Sequence, residues 1–190
     1  MFSMMGSNWK YHAANYGQMN LMNELRRLWM EHMIWTRQYI VSALSGLPDL
    51  DIVQKRLLRN PMDFANVLEV FYGRQKADTL RSLLEEHLKI AAAVLDYGKQ
   101  GNTKAMEQYS RLWYGNADRI AAFLAGINPA WSAEDWMKLL HDHIRMVADM
   151  ATARLQEEYM KDSIIFDMAL EQALSMADTM AAGMIRQFDI

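Results

Sequence analysis

LLEEHLKIAA, residues 83–92, carries an acidic residue directly before a histidine inside an apolar pattern of helical spacing. The same arrangement recurs in two other stretches, LWMEHMIWTR (28–37) and LLHDHIRMVA (139–148). The histidines of successive stretches are 55 and 56 residues apart, and the sequence that follows each one also matches loosely. A helical unit that returns at a fixed period predicts a chain made of three related helical hairpins.

Glycines mark the places where the helical patterns end. Gly46, Gly73, Gly101 and Gly126 each follow an apolar run, and residues suited to a helix N-terminus come soon after. Pro61 should kink or split the second helix, because proline removes one backbone hydrogen bond and clashes with the preceding turn. The sequence therefore predicts six helices, at about 19–45, 49–72, 75–99, 103–125, 132–157 and 161–188.

These helices predict an all-α fold, an up-down bundle in the style of ferritin-like or hemerythrin-like proteins. The connections between them are short, so successive helices should run antiparallel. One domain over residues 19–188 would contain the three repeats, at about 19–72, 75–125 and 132–188. Residues 1–18 are expected to form a polar and mobile N-terminal segment.

The composition argues against several functional classes. The chain has no cysteine, which removes disulfides, thiol catalysis and iron–sulfur clusters. A net charge of −3 without any lysine or arginine run argues against a nucleic-acid partner. No secretory signal and no apolar run of spanning length occur, so we expect a cytoplasmic protein without a transmembrane segment. No glycine-rich phosphate loop occurs either, so no nucleotide cofactor is expected. The sequence leaves homo-oligomerisation, any small-molecule ligand and any enzymatic reaction open.

The repeat also aligns an aspartate with each histidine, 31, 31 and 35 residues further along the chain. At 1.5 Å per residue the two positions lie at comparable heights on antiparallel helices. The apolar stripe around each histidine predicts that it faces inward, and the three first helices should bring the histidines to one level. Glu86 and Glu171 are two further acids expected on inward faces, and Glu171 shares its face of the last helix with Asp167 and Asp178. The candidate ligands are therefore His32, His87, His143, Asp63, Asp118, Asp178, Glu86 and Glu171.

Two interpretations of this layer remain open. In the first, the imidazoles and carboxylates bind iron, manganese or zinc, since mixed nitrogen and oxygen ligands suit these metals, and the protein has a redox or oxygen-linked role. In the second, the chain is a non-enzymatic structural or interaction module, with a role in sporulation as one setting, and its buried His–Asp pairs only fix the helix packing. The Glu-x-x-His step of ferritin-like di-iron proteins is absent from the chain.

Four stretches carry a family resemblance: LWMEHMIWTRQYIVSAL, RLLRNPMDFANVL, EEHLKIAA and NADRIAAFLAGINPAW. They resemble an uncharacterised bacterial helical family, similar in style to the ferritin-like proteins of domain of unknown function 2935, and the resemblance covers most of residues 20–188. It implies a helical bundle and a metal site at the steps Glu31–His32, Glu86–His87 and Asp142–His143. It implies no particular activity.

Overall fold

The computed structural model describes residues 16–190, and these form an all-α bundle. Residues 1–15, which include most of the predicted polar segment, lie outside the described residues. The first helix begins three residues earlier than predicted, at Tyr16, and the other boundaries lie close to the predicted ones. The helices are α1 (Tyr16–Ser45), α2 (Leu50–Leu57), α3 (Asn60–Tyr72), α4 (Arg74–Lys99), α5 (Thr103–Ile127), α6 (Ala133–Leu155) and α7 (Tyr159–Phe188).

The predicted break at Pro61 is confirmed, because it divides the second helix into α2 and α3. Pro61 occupies the first turn of α3, where its missing N–H has no partner to lose. Gly46, Gly73 and Gly101 adopt positive φ between helices, as glycine can without steric cost. Gly126 does not end its helix as predicted. It lies within the last turn of α5, which continues to Ile127.

The helices close into a ring. From α3 to α7, each helix packs against the next one along the chain, and both α2 and α7 pack against α1. In addition, α1 contacts both α4 and α6 across the middle of the bundle. These three are the parallel first helices of the three hairpins, so the histidine that each carries is directed to a common central region.

The last helix is rotated relative to the prediction. Its predicted inward face carried Asp167, Glu171 and Asp178, but the first two are exposed and Asp178 pairs with Arg26 at the surface. Burying three carboxylates without partners would cost far more than burying alanines and methionines at the same helical spacing. The face that packs inward is the row Ala169, Ala173, Met176, Ala177, Met180, Ala181 and Met184.

None of the helices in residues 16–190 is long and apolar enough to cross a membrane.

Candidate functional site

The three repeated histidines meet in the centre of the bundle. His32, His87 and His143 are 9%, 5% and 2% exposed. All three line one small cavity of about 30 Å³, to which α1, α3, α4, α5, α6 and α7 contribute side chains. The rest of the lining is almost wholly apolar and aromatic, with Asn60 as the other polar member. The structure thus brings together three imidazoles in an apolar enclosure.

His32 and His143 form the closest pair in this group. Their Nε2 atoms are 3.3 Å apart, and their ring centroids are 5.3 Å apart with the planes inclined by 39°. Trp29 packs with its ring edge-to-face against both imidazoles. The nitrogen separation is slightly longer than a good hydrogen bond, which spans about 2.7–3.2 Å. The two Nε2 edges therefore face each other at the long end of hydrogen-bond range, and which ring donates depends on where each ring carries its proton.

His87 is held differently, by hydrogen bonds at both ring nitrogens. Trp113 donates from its Nε1 to His87 Nε2 over 2.8 Å, which makes Nε2 an acceptor. Nδ1 must then carry the proton, and it donates to Asn116 Oδ1 over 2.7 Å. Asn116 in turn donates through Nδ2 to the Leu83 carbonyl and to Glu86 Oε2, at 3.1 and 3.2 Å. This ring is fully satisfied within the protein.

A side-chain amide accompanies every one of the three histidines. Asn60 interacts with His32, Asn116 with His87 and Gln172 with His143, and each amide favours the protonated form of its ring. The amides follow their histidines by 28, 29 and 29 residues, on the second helix of each hairpin. The repeating unit of the bundle is therefore a histidine with an amide.

The amide contact in the third hairpin is incomplete. Gln172 donates through Nε2 to the Leu139 carbonyl over 2.8 Å. However, neither its Oε1 nor His143 Nδ1 has a hydrogen bond of good geometry among the described residues, and both atoms are buried. His143 thus lacks the two hydrogen bonds that hold His87.

All three imidazoles are neutral at physiological pH. Burial lowers the pKa of His87 and of His143 to about 4, and it holds the pKa of His32 well below its usual value of 6.5. The neighbouring histidine rings lower the pKa of His32 further, because two positive charges so close together repel. A neutral imidazole keeps one lone pair, which is the state that binds a metal ion.

The predicted acidic ligands lie elsewhere. Asp63 pairs with Arg59, Asp178 with Arg26, and Glu86 with Arg119, while Glu171 is exposed. Asp118 pairs with His141 at the surface, 2.7 Å from its Nε2. The predicted pairing of His87 with Asp118 is therefore wrong, since Asn116 takes that place. Asp118 is two residues further along α5, so its side chain points away from the centre, and an uncharged amide is also far less costly to bury.

The flanking acids of the histidine steps also bind surface cations. Glu31 accepts from Arg27 and Arg56, and Asp142 accepts from Arg145. Glu86 alone reaches towards the cluster, through Asn116 to His87. Among residues 16–190, no group of three or more histidine, aspartate or glutamate side chains is arranged so that it could hold a metal ion as it stands.

No protein-family model, no curated protein and no solved structure matches this chain significantly. The resemblance to the ferritin-like bacterial family stays a prediction, and the function rests on the geometry of the histidine cluster.

The sequence patterns identified neither the three amides nor the Trp113 indole as partners of the histidines. A signal for the amides was present, because Asn60, Asn116 and Gln172 recur at nearly constant spacing from the histidines. The aspartates recur almost as regularly, and carboxylates are the commoner metal ligands, so the spacing pointed to the wrong residues. No comparable signal identifies Trp113, because the other two hairpins have no hydrogen bond that matches its bond to His87.

Proposed function

We propose that this protein binds a divalent metal ion at the central histidine cluster, with Nε2 of His32 and Nε2 of His143 as ligands. The observation that carries the proposal is the geometry of this pair. Two nitrogens bound to one metal ion at 2.0–2.1 Å with tetrahedral angles lie about 3.3 Å apart, with ring centroids separated by about 5.2 Å. The distances here are 3.3 Å and 5.3 Å.

A straight hydrogen bond between the rings would give a longer centroid distance. An imidazole N–H pointing straight at the other Nε2 over the same distance would separate the ring centroids by about 5.6 Å. The shorter observed distance of 5.3 Å means that the rings are inclined to the line that joins their Nε2 atoms, as two imidazoles that share one ion are.

The amides support the same assignment. A metal-binding histidine usually donates its other ring N–H to a polar group, which fixes the tautomer and the ring orientation. Asn60 and Gln172 each favour the protonated form of the adjacent ring, as an oxygen that accepts from a ring N–H does. With the proton on Nδ1, the Nε2 lone pair of each ring is free for a ligand.

His87 is the third ligand in this proposal, and to reach the ion its ring must turn from its present position and give up its bond from Trp113. That hydrogen bond contributes about 0.5–1.5 kcal/mol net, which a metal–nitrogen bond exceeds. Three imidazoles with one open position are a known zinc arrangement, and the cavity of about 30 Å³ has room for an ion with a bound water. Zinc fits this nitrogen-only set better than manganese or iron, which favour the carboxylates that here lie at the surface.

The second candidate is that the cluster is a structural polar layer. The complete hydrogen bonding of His87 favours it, because that ring needs no metal to satisfy either nitrogen. In this alternative the bundle is a non-enzymatic structural or interaction module, and the amides specify how the hairpins pack.

Metal analysis of tag-free protein, purified without chelator, tests the proposal. We expect stoichiometric zinc binding in a competition titration with a chromophoric chelator, and cobalt substitution should give the visible spectrum of a tetrahedral site. His143→Gln should abolish both. His141→Gln is the matched control, because His141 is on the same helix but at the surface, where it pairs with Asp118. Wild-type protein that takes up no metal, or a His143→Gln variant that binds as well as the control, would overturn the proposal.

A further inference from the structure

A second and larger cavity lies beside the histidine cluster, further along the same helices. It has a volume of about 200 Å³ and is enclosed by α1, α4, α5 and α6, with Leu57 of α2 at one side. Small side chains create the space, since five positions on α4 and α6 that face it carry no more than a methyl group. These positions are Ala91, Ala92, Gly98, Ala148 and Ala151.

The chemistry of the lining selects for uncharged molecules. None of the residues that line the cavity is charged at neutral pH. Burial, with a smaller contribution from the negative charge of Asp96, raises the pKa of Tyr39 to about 12, so its hydroxyl stays neutral. An ionised ligand would lose its hydration here without gaining a counter-charge, which is very costly.

Thr36 supplies a polar group that lacks a partner. This residue lines the cavity and is 8% exposed, and its hydroxyl is buried without a hydrogen bond to any described residue. A buried hydroxyl without a partner is unfavourable, because it has lost its hydrogen bonds to water and gained none in return. A ligand that carries one hydroxyl or carbonyl group would remove this cost.

The volume and the access are suitable for a small molecule. An apolar cavity of about 150 Å³ in another protein stays dry and binds benzene. The cavity here is larger, at about 200 Å³. Its rim includes Thr152 and Leu155 near the end of α6, where Leu155 is 43% exposed, so a ligand can reach it from the surface.

We propose that this cavity is a binding site for a small, neutral, mainly apolar molecule of about the size of a substituted phenol, with one hydroxyl or carbonyl group that bonds to Thr36. The site is separate from the proposed metal site. Leu88 and Trp113 stand between the two, since Leu88 lines both cavities and Trp113 donates to His87. Either site can be present without the other.

Calorimetry and ligand-observed NMR on the full chain, with p-cresol as the probe, test this proposal. We expect saturable one-to-one binding of p-cresol, weaker binding of toluene and none of 4-hydroxybenzoate, which carries a charge. Thr36→Val should lower the affinity for p-cresol to that for toluene, a loss of about tenfold for one hydrogen bond. Addition of a metal chelator should leave p-cresol binding unchanged, which distinguishes this site from the metal site.

Variants that fill the cavity provide the decisive comparison. Ala151→Leu and, separately, Ala92→Leu should abolish p-cresol binding while the protein remains folded by circular dichroism. Ala122→Leu makes the same change on the exposed face of α5 and should bind normally. Two results would each overturn the proposal: wild-type protein that binds neither p-cresol nor toluene at millimolar concentration, or a folded cavity-filled variant that still binds like the control.

Discussion

His32 and His143 face each other across the middle of the bundle from two parallel helices. The two histidines are 111 residues apart in the sequence. Their Nε2 atoms are 3.3 Å apart, and neither ring is charged at neutral pH, because burial disfavours the protonated form of both. This relationship makes the stability of the bundle depend on pH.

Acid should begin to destabilise the protein at a pH well above that at which surface carboxylates titrate. The buried histidines have folded-state pKa values below 6.5, about 4 for His87 and His143. The unfolded chain therefore binds more protons between these values, so stability is complete above pH 6.5 and is lost as pH falls towards 4. Each ring with a pKa of about 4 contributes roughly 3 kcal/mol to this loss. Urea unfolding at pH 7, 6 and 5 measures it, and His143→Leu should show a shallower dependence on pH.

Removing the Trp113 indole donor should lower the stability of the protein but raise its affinity for zinc. Trp113→Phe leaves His87 Nε2 buried without a donor, which should lower the free energy of unfolding by about 1–3 kcal/mol. The same change frees Nε2, so zinc should bind more tightly than to wild-type protein. Trp136→Phe is the matched control, because the buried Nε1 of Trp136 has no hydrogen-bond partner among residues 16–190. Equal zinc affinity in the two variants would argue that His87 is not a ligand.

The amide at position 116 should matter more than the aspartate at position 118. Asn116→Ala removes the acceptor for His87 Nδ1 and the donor to the Leu83 carbonyl, both buried, and should cost about 2–4 kcal/mol. Asp118→Ala breaks only an exposed pair with His141, which is worth at most about 1 kcal/mol. Chemical denaturation of both variants makes the comparison. If the second variant were the less stable, the histidine–amide unit would not be the structural repeat.

Replacing Gly183 of α7 by any residue with a side chain should destabilise the packing of α7 against Trp131. A Cβ atom built on Gly183 would lie only 1.9 Å from Trp131 Nε1, so Gly183→Ala must displace a buried indole. Overpacking of this kind costs about 1–3 kcal/mol or more. Gly115→Ala, on the exposed side of α5 with open space around it, should instead stabilise the helix by about 0.5–1 kcal/mol. Thermal unfolding of the two variants should shift in opposite directions.

Much of the architecture could be predicted from local signals. The break at Pro61 and the turns at Gly46, Gly73 and Gly101 depend on backbone preferences that act within a few residues. The Ser132 cap of α6, whose hydroxyl accepts from the Asp135 N–H, is equally local. For this reason the helices and their order can be predicted from the sequence without knowledge of how they pack.

The side-chain partners inside the bundle could not be predicted in the same way. Asn116 and Asp118 are two residues apart on one helix, and the small rotation that decides which faces His87 depends on the packing of all the neighbouring helices. On α7, the acidic stripe through Glu171 and the alanine stripe through Ala173 have the same helical period. Spacing alone therefore does not predict which of the two stripes packs inward. The energetic cost of burying charge decided both cases.

The closure of α7 against α1 has a consequence for connectivity. Gln18, near the beginning of α1, donates to the carbonyl of Ile190 over 2.7 Å, so the two ends of the described chain meet. Three hairpins of the same construction stand around this closed ring, and each supplies one imidazole and one amide to the centre. The ring has no topological beginning: a chain joined from residue 190 to Tyr16 and opened instead between α3 and α4 would place the same three histidines around the same axis.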